Sequence, residues 1–245
     1  MHVAPAWGTP PRELGLENNE VHLWLITLPT QLDFLPGYRL RLTDEERERA
    51  DRFHFPEDRA RFTLGRAALR SLLMRYTGAT DISLALNEYG KPYLAHPATS
   101  LQFNVAHSGD LVLLGFTRGH LIGVDVERLR PDFATTEIAN RFFAPDEAAI
   151  VAALPEPDRA QGFFNCWSRK EAYIKARGLG LSLPLSSFSV VFTCGEPPAL
   201  LRVDNDPTAP QRWTILDLPT CEAYAAAAAF EARDLNISQF LWVAP

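Results

Sequence analysis

The chain has 245 residues, of which 47% are hydrophobic and 22% are charged. This length and composition suit one soluble globular unit or two small subdomains, and they exclude a largely disordered chain. The net charge of −6 argues against general affinity for nucleic-acid backbone, although a local basic pocket stays possible. The longest apolar run, in Ala223–Phe230, is far shorter than the roughly 20 residues of a membrane span.

Residues 1–19 are proline-rich with little periodicity, so we expect a loose N-terminal segment there. They lack the basic-then-apolar order of a signal peptide, which favours a cytoplasmic protein. Three cysteines match no zinc or redox spacing, and we interpret them as reduced packing residues. They are Cys166, Cys194 and Cys221.

The first half of the chain alternates strand and helix patterns. Val21–Leu28 is rich in β-branched and aromatic residues and predicts a strand. Thr43 and Glu46 form a capping-box pattern that opens a short helix. A longer amphipathic helix is predicted over Glu57–Tyr76, ended by Gly78. Arginines are frequent in these helices, and they indicate either solvated helix faces or a phosphate site.

Further strands are predicted on either side of two candidate functional features, a hairpin turn and a histidine. Ile82–Ala95 reads as a hairpin that turns at Glu88–Pro92, and Leu101–Val105 and Leu111–Phe116 read as two strands with His107 between them. Histidine at a strand end lies where functional loops are usually carried, although a structural role is the better interpretation of this residue taken by itself.

Leu121–Leu129 predicts a strand that carries two carboxylates on one face, because alternate residues share a face. Asp125 and Glu127 are two residues apart, which places their Cα atoms about 6.5–7 Å from each other. On a solvated face such a pair has no special role. In a cleft the two charges raise each other's pKa unless a cation intervenes, and Mg²⁺ is the hard, oxygen-seeking ion that suits them.

A central helix is predicted over Asp158–Arg177, with Asp158 as its N-cap and Gly178 at its end. Glu171 falls within the apolar stripe of this helix, where a charge needs a partner. Lys175 follows four residues later, so an ordinary helix-surface ion pair worth about 0.2–0.5 kcal/mol is one interpretation. Two short helices, 135–143 and 146–154, are predicted before it. After it we predict a loop that enters a strand over 183–192, and further strands over 212–216, 221–230 and 239–243, where the alanine run of 221–230 is also compatible with a helix.

The order of elements hints at a duplication. Each half contains a long amphipathic helix, then a hairpin with a glycine-X-proline turn, then apolar strands. The pattern predicts an α+β fold made of two similar α/β lobes with a cleft between them. We place the N-terminal lobe at 20–120 and the C-terminal lobe at 121–245.

Three motifs stand in order along the chain: NVAHSG at Asn104–Gly109, IGVDVE at Ile122–Glu127, and FNCWSRKEAYIKARGLGLSLPLSSF at Phe164–Phe188. Together they resemble the 4'-phosphopantetheinyl transferases of the Sfp type. A glycine-lysine-proline turn at Gly90–Pro92 and the arginine-rich helical start extend the resemblance to roughly residues 43–192.

The resemblance implies a pseudo-twofold, duplicated fold and Mg²⁺-dependent transfer of the 4'-phosphopantetheine arm of coenzyme A. The acceptor would be a serine of an apo acyl or peptidyl carrier protein, and adenosine 3',5'-bisphosphate would be released. Asp125, Glu127 and Glu171 would bind the Mg²⁺ ion. Glu171, directly or through a metal-bound water, would help to deprotonate the serine, and Lys175 would stabilise or protonate the leaving bisphosphate.

The resemblance also implies a set of residues at coenzyme A: Arg49, Arg52, Lys91, Asn104, His107, Asp125 and Lys175. Many relatives carry serine where Ala106 stands, so we expect somewhat weaker coenzyme A binding here. The carrier is expected on the lobe with 177–188, where Leu181, Leu183 and Leu185 either flank a groove or belong to the core.

Two other functions are compatible with parts of the sequence. The carboxylates alone would allow a Mg²⁺-dependent phosphohydrolase that acts on nucleotides, but the residues around Glu171 and the paired lysine favour transfer. A non-catalytic binding module is the second alternative, although all three expected metal ligands and Lys175 are present. Because the two halves supply a complete site, we expect an active monomer.

Overall fold

The computed structural model describes residues 7–193, 195–221 and 223–243, with only the backbone at residue 181. Two helices of 22 residues dominate the α-structure. In chain order the α-helices of the described residues are α1 Leu35–Arg39, α2 Asp44–Asp51, α3 Pro56–Thr77, α4 Thr136–Phe142, α5 Pro145–Ala153, α6 Glu156–Arg177 and α7 Ala209–Arg212. Short 3₁₀ segments lie at Leu28–Phe34, Gly180–Ser182 and Leu185–Ser187. Among the described residues, no helix combines the length and the apolar character that crossing a bilayer requires.

Eleven strands lie in the described residues. They are β1 Glu20–Thr27, β2 Ser83–Leu86, β3 Pro92–His96, β4 Leu101–Ser108, β5 Leu111–Arg118, β6 Ile122–Arg128, β7 Phe188–Val190, β8 Leu200–Val203, β9 Thr214–Asp217, β10 Tyr224–Phe230 and β11 Asn236–Leu241. The main sheets have the orders β11-β1-β5-β4 and β6-β10-β9, and two hairpins, β2-β3 and β7-β8, stand beside them. The fold is therefore of the α+β class, with mostly antiparallel pairing.

The two main sheets pack between the two long helices. Helix α3 buries Leu64 and Leu72 against the outer face of the first sheet, and α6 buries Phe163 and Ala172 against the outer face of the second. Between the sheets lies a third apolar layer that includes Leu23, Leu113, Val124 and Ala228. Because strand residues alternate in direction, each sheet serves two cores at once.

The local sequence signals are confirmed in the first half. The Thr43 hydroxyl oxygen accepts a hydrogen bond from the backbone N–H of Glu46, and the Glu46 carboxylate accepts one from the backbone N–H of Thr43. Gly78 ends α3 in the left-handed conformation at φ 70°. The predicted hairpin turns between β2 and β3.

Three predictions need correction. Asp158 does not cap α6, because the helix already begins at Glu156 and Asp158 lies in its first turn. Proline is tolerated in the first turn of a helix, because the N–H group that it lacks would have no hydrogen-bond partner within the helix there. Strand β4 continues to Ser108, beyond the predicted end at Val105. Cys221 is exposed, whereas Cys166 is buried as expected; Cys194 lies outside the described residues.

The ends of the chain meet in the first sheet. Strand β11 pairs in parallel with β1, although the sequence boundary placed it in the C-terminal lobe. Parallel pairing joins distant segments, so local patterns do not show it. Within 7–19, Gly8 bridges to Phe240 on β11, and Trp7 and Leu16 are buried.

Candidate active site in the interlobe cleft

The site begins where β6 crosses α6 in direct backbone contact. A side chain at Gly123 would place its Cβ atom 2.0 Å from the Ala172 carbonyl oxygen and 2.3 Å from the Ala176 nitrogen. Only glycine permits this approach. Asp125 lies two residues further along the same face of β6, so it too points towards α6, as the strand pattern predicted.

Asp125 meets Lys175 across this contact. The Lys175 Nζ atom lies 2.5 Å from Asp125 Oδ1, and the Asp125 side chain is only 2% exposed. Among the described side chains, the ion pair of Lys175 therefore runs to the strand and not along the helix to Glu171. The ordinary i,i+4 pair that the sequence allowed does not form.

The second oxygen of Asp125 has no partner. Its Oδ2 atom is buried without a hydrogen bond from any described protein group. Burial raises the pKa of Asp125, and the charge and hydrogen bond of Lys175 offset only part of this effect. For Lys175, burial favours the neutral amine, but attraction to Asp125, Glu171 and Glu127 outweighs it and raises the pKa. A buried carboxylate oxygen without a partner is costly and calls for an explanation, and a cation that binds there would provide one.

Glu127 and Glu171 complete a group of three carboxylates. Burial raises the pKa of both side chains, and the negative charge of Asp125 raises each further. Glu127 accepts a hydrogen bond of 3.0 Å from the hydroxyl of Ser108, so the last residue of β4 orients it. The predicted carboxylates thus sense one another's charge across β6 and α6.

These three carboxylates are the kind of oxygen donors that a hard cation prefers, but the described side chains are not already arranged as a metal site. Within residues 7–193, 195–221 and 223–243, no three His, Cys, Asp or Glu side chains are arranged as a ready metal cluster. Lys175 instead neutralises Asp125. Three oxygen donors with raised pKa values and one buried oxygen without a described partner nevertheless match the chemistry of Mg²⁺.

A cleft of about 300 Å³ opens beside this group. Residues from both lobes line it, among them Tyr89, Lys91, Asn104, Glu171, Lys175 and Gly180. Asn104, which the resemblance placed at coenzyme A, accepts a 2.9 Å hydrogen bond from the Val124 backbone and ties β4 to β6. Lys91 donates to the carbonyls of Ile122 and Ala176, each at 3.0 Å, and burial lowers its pKa to about 8.

The predicted arginines lie in a separate, larger cavity of about 820 Å³ between α2, α3 and β2. Arg49 and Arg52 line it together with Arg66 and Arg70, and Glu46 is a shared counter-ion 3.6 Å from each of the latter two. Burial, and then the neighbouring arginines, lower the pKa of Arg66 despite attraction to Glu46. Four acidic side chains, Asp44, Glu45, Glu46 and Asp81, also line the cavity, so the four arginines stand among an equal number of carboxylates. Pro92 borders both this cavity and the smaller cleft.

His107 lies near the end of β4 with an exposed side chain. Partial burial and the positive charges of Arg61 and Lys175 lower its pKa. Ala106, its neighbour, packs instead in the apolar layer between the sheets. A hydroxyl at that position would point into this core, so the expected loss of a contact to coenzyme A does not follow from the fold.

The leucines proposed as a carrier groove belong mostly to the core. Leu185 is buried, and Leu183 packs against the cluster under α6. The side chain of Leu181 lies outside the described residues. The sequence analysis also missed Ser108, Asn87 and the buried Glu147–Lys170 pair. Only Asn87 carried a local signal, since asparagine often opens a turn.

Comparison with known families agrees with this geometry. A model described as the 4'-phosphopantetheinyl transferase superfamily matches residues 121–229, and one described as 4'-phosphopantetheinyl transferase, N-terminal, matches residues 29–117. The class of protein is thus a phosphopantetheinyl transferase.

Individual relatives narrow the class. The 4'-phosphopantetheinyl transferase HetI of Nostoc sp. is 37% identical over 231 residues, which cover 91% of this chain and 94% of HetI. The 4'-phosphopantetheinyl transferase Sfp of Bacillus subtilis is 38% identical over 151 residues, which cover 61% of this chain and 66% of Sfp. The holo-[acyl-carrier-protein] synthase of Thermotoga maritima aligns at 21% identity with a TM-score of 0.37, over 46% of this chain and 63% of that one. The chain belongs to the Sfp-type 4'-phosphopantetheinyl transferases.

Proposed function

We propose that this protein transfers the 4'-phosphopantetheine arm of coenzyme A to a serine of an apo acyl or peptidyl carrier protein. The observation that carries the proposal is the buried, unpartnered Oδ2 of Asp125, which lies against Lys175 beside a cleft that Glu171 also lines. This oxygen needs an explanation, and a site that receives a cation and an anionic substrate supplies one.

Asp125, Glu127 and Glu171 would hold a Mg²⁺ ion. When bound, the ion would neutralise charge on the pyrophosphate of coenzyme A as the phosphoester bond changes hands. Burial is the main cause of the raised pKa of all three carboxylates, and the charge of Asp125 adds to it at Glu127 and Glu171; a bound cation would offset both effects.

The residues of the chain would perform the proton transfers. Glu171, whose pKa is raised, would accept the proton of the carrier serine hydroxyl. The serine oxygen would then bond to the phosphorus that bears the pantetheine arm, while the bond from that phosphorus to the bisphosphate oxygen breaks. Lys175, one helical turn from Glu171, would stabilise or protonate the departing adenosine 3',5'-bisphosphate.

The two cavities would divide coenzyme A between them. We place the adenosine 3'-phosphate in the larger cavity, where Arg49 and Arg52 stand among further arginines, and the pyrophosphate near Lys175. His107, with a lowered pKa, would be neutral at pH 7 and would contact phosphate through an imidazole N–H group. Asn104 and Lys91 border the smaller cleft and complete the predicted set.

We also propose that the two lobes are structural duplicates. The strand orders β1-β5-β4 and β6-β10-β9 correspond, and α3 with hairpin β2-β3 corresponds to α6 with hairpin β7-β8. Since the lobes of one chain together line the cleft, we expect an active monomer. We expect it to work in the cytoplasm.

The reaction is tested by incubating the purified protein with coenzyme A, Mg²⁺ and apo carrier proteins of fatty-acid, polyketide and nonribosomal-peptide synthesis. Intact mass spectrometry should show a gain of one phosphopantetheine on at least one carrier. The gain should disappear with a chelator, and with a carrier whose acceptor serine is changed to alanine. Consumption of coenzyme A without any carrier would instead favour a phosphohydrolase.

A further inference from the structure

The tip of the β2-β3 hairpin lies against the C-terminal end of α6. Asn87 Nδ2 donates a 2.9 Å hydrogen bond to the carbonyl of Gly178, the residue that caps the helix. Lys91 Nζ donates to the carbonyl of Ala176 in the last helical turn. The last carbonyls of a helix have no partner within it, so the hairpin of one lobe satisfies the helix end of the other.

Asn87 also holds its own turn in shape. Its Oδ1 atom accepts hydrogen bonds from the backbone N–H groups of Tyr89, at 3.0 Å, and Lys91, at 2.8 Å. The fit to the helix end is close, because a Cβ atom at Gly178 would lie 3.3 Å from Asn87 Nδ2. Gly178 itself needs its left-handed φ of 66° to end the helix. One side chain therefore fixes the turn and joins it to α6.

This junction lies next to the reacting groups. Lys175 precedes Gly178 by three residues, and both line the cleft together with Tyr89 and Lys91 of the hairpin. We propose that Asn87 is a positioning residue that holds the end of α6 against the hairpin and so fixes Lys175 opposite Asp125. The expected effect of Asn87 on catalysis rests on the proposed transferase function, whereas the contact between the hairpin and the end of α6 does not.

The variant Asn87→Asp isolates the contact between the lobes. Aspartate keeps an oxygen that can accept from Tyr89 and Lys91, but it places a second oxygen, with no hydrogen to donate, opposite the Gly178 carbonyl. Asn236→Asp is the matched control, since it adds the same charge at an exposed position on β11. Two measurements are made on all three proteins: amide hydrogen exchange, and steady-state transfer to an apo carrier.

We expect faster exchange over residues 174–180 in Asn87→Asp, with unchanged exchange in the control. We expect kcat to fall about 3- to 10-fold, as the loss of one net hydrogen bond allows, while the KM for coenzyme A changes less than about twofold. Unchanged amide exchange over 174–180 would contradict the proposal that Asn87 holds the end of α6 against the hairpin. Faster exchange with unchanged kcat would make the bond merely structural, and a raised KM with unchanged kcat would make Asn87 a substrate contact. If the wild-type protein modifies no carrier, the transferase proposal fails, and the exchange measurement still decides the junction.

Discussion

Helix α6 carries two lysine–carboxylate pairs, and only one of them is complete. In the first pair, Lys170 Nζ lies 2.6 Å from Glu147 Oε2 and also donates to the carbonyls of Leu185 and Phe188. Glu147 in turn accepts from the backbone N–H groups of Ala144 and Val190. Lys170 is fully buried, and every polar atom of the pair has a partner.

In the second pair, one polar atom has no described hydrogen-bond partner. Lys175 reaches Asp125 at 2.5 Å and is still 30% exposed, whereas Asp125 keeps one buried oxygen without a partner. Two more carboxylates, Glu127 and Glu171, stand close enough to Asp125 for its charge to raise the pKa of each. The difference teaches that charge and burial alone do not mark a site. An unsatisfied polar atom beside an open cleft makes the Asp125 group the candidate for ligand binding, whereas the fully satisfied Glu147 group is suited to hold the fold.

The largest expected effect is at the incomplete pair. Asp125→Ala removes the partner of Lys175 and one proposed Mg²⁺ ligand, so the transfer rate should fall at least about 10²- to 10³-fold. Thermal stability should change little, because burial already disfavours the charged form of Asp125 and because Lys175, without its partner, can be solvated. Initial rates and melting temperatures test this pair of expectations. Substantial activity in the variant would contradict the assignment of Asp125.

The complete pair should show the reverse behaviour. Glu147→Gln leaves Lys170 buried without an opposing charge, which should cost about 3–5 kcal/mol of the free energy of unfolding. The folded fraction should keep its kcat, because Glu147 lies outside the cleft. Urea unfolding and activity well below the melting temperature measure the two quantities. A variant with normal stability would show that the network is not structural.

An intermediate effect is expected where the two elements of the incomplete pair touch. Gly123→Ala forces β6 away from α6, since its Cβ atom would collide with the Ala172 carbonyl. We expect a loss of about 1–3 kcal/mol in stability from overpacking and a fall in kcat of about 10- to 100-fold from the displaced Asp125. Gly37→Ala is the control, because nothing lies within 4 Å of its added atom. Equal behaviour of the two variants would contradict the role of this contact.

The smallest effect concerns Lys91, a half-buried lysine whose hydrogen-bond partners are neutral carbonyls. Burial lowers its pKa to about 8 from an ordinary value of 10.5. Between these values the unfolded chain binds more protons than the folded one, so the stability due to Lys91 rises with pH. A neutral amine still donates to both carbonyls.

The prediction is tested with Lys91→Met. The difference in unfolding free energy between wild type and variant should shift by about 1–3 kcal/mol in favour of the wild type from pH 7.5 to pH 10. Urea denaturation at the two pH values measures the shift. A difference that is independent of pH would show that the ammonium is as well accommodated as in water.

Much of the fold could be predicted from the sequence because its signals are local. The capping box at Thr43, the glycine that ends α3, and the alternation that puts Asp125 and Glu127 on one face all depend on residues within one turn or strand. The pairing of β11 with β1 depends on distant segments and left no such signal.

The sequence identified candidate residues for the site, but it did not show which of these residues contact one another. Glu171 and Lys175 could be chosen by their helical face, yet the partner of Lys175 depends on the approach of β6 that Gly123 permits. The carbonyl contacts of Lys91 and Asn87 depend likewise on how the two lobes meet. Helix period and strand alternation do not encode that geometry.

The central claim is that the incomplete carboxylate group performs the transfer while the complete pair does not. The most direct test compares Glu171→Gln with Glu147→Gln, the same isosteric change at the two places, by intact mass of an apo carrier incubated with coenzyme A and Mg²⁺. The account predicts that wild type and Glu147→Gln add phosphopantetheine at similar rates below the melting temperature of the variant, while Glu171→Gln is slower by at least about 10²-fold. Transfer by Glu171→Gln at the wild-type rate would contradict it.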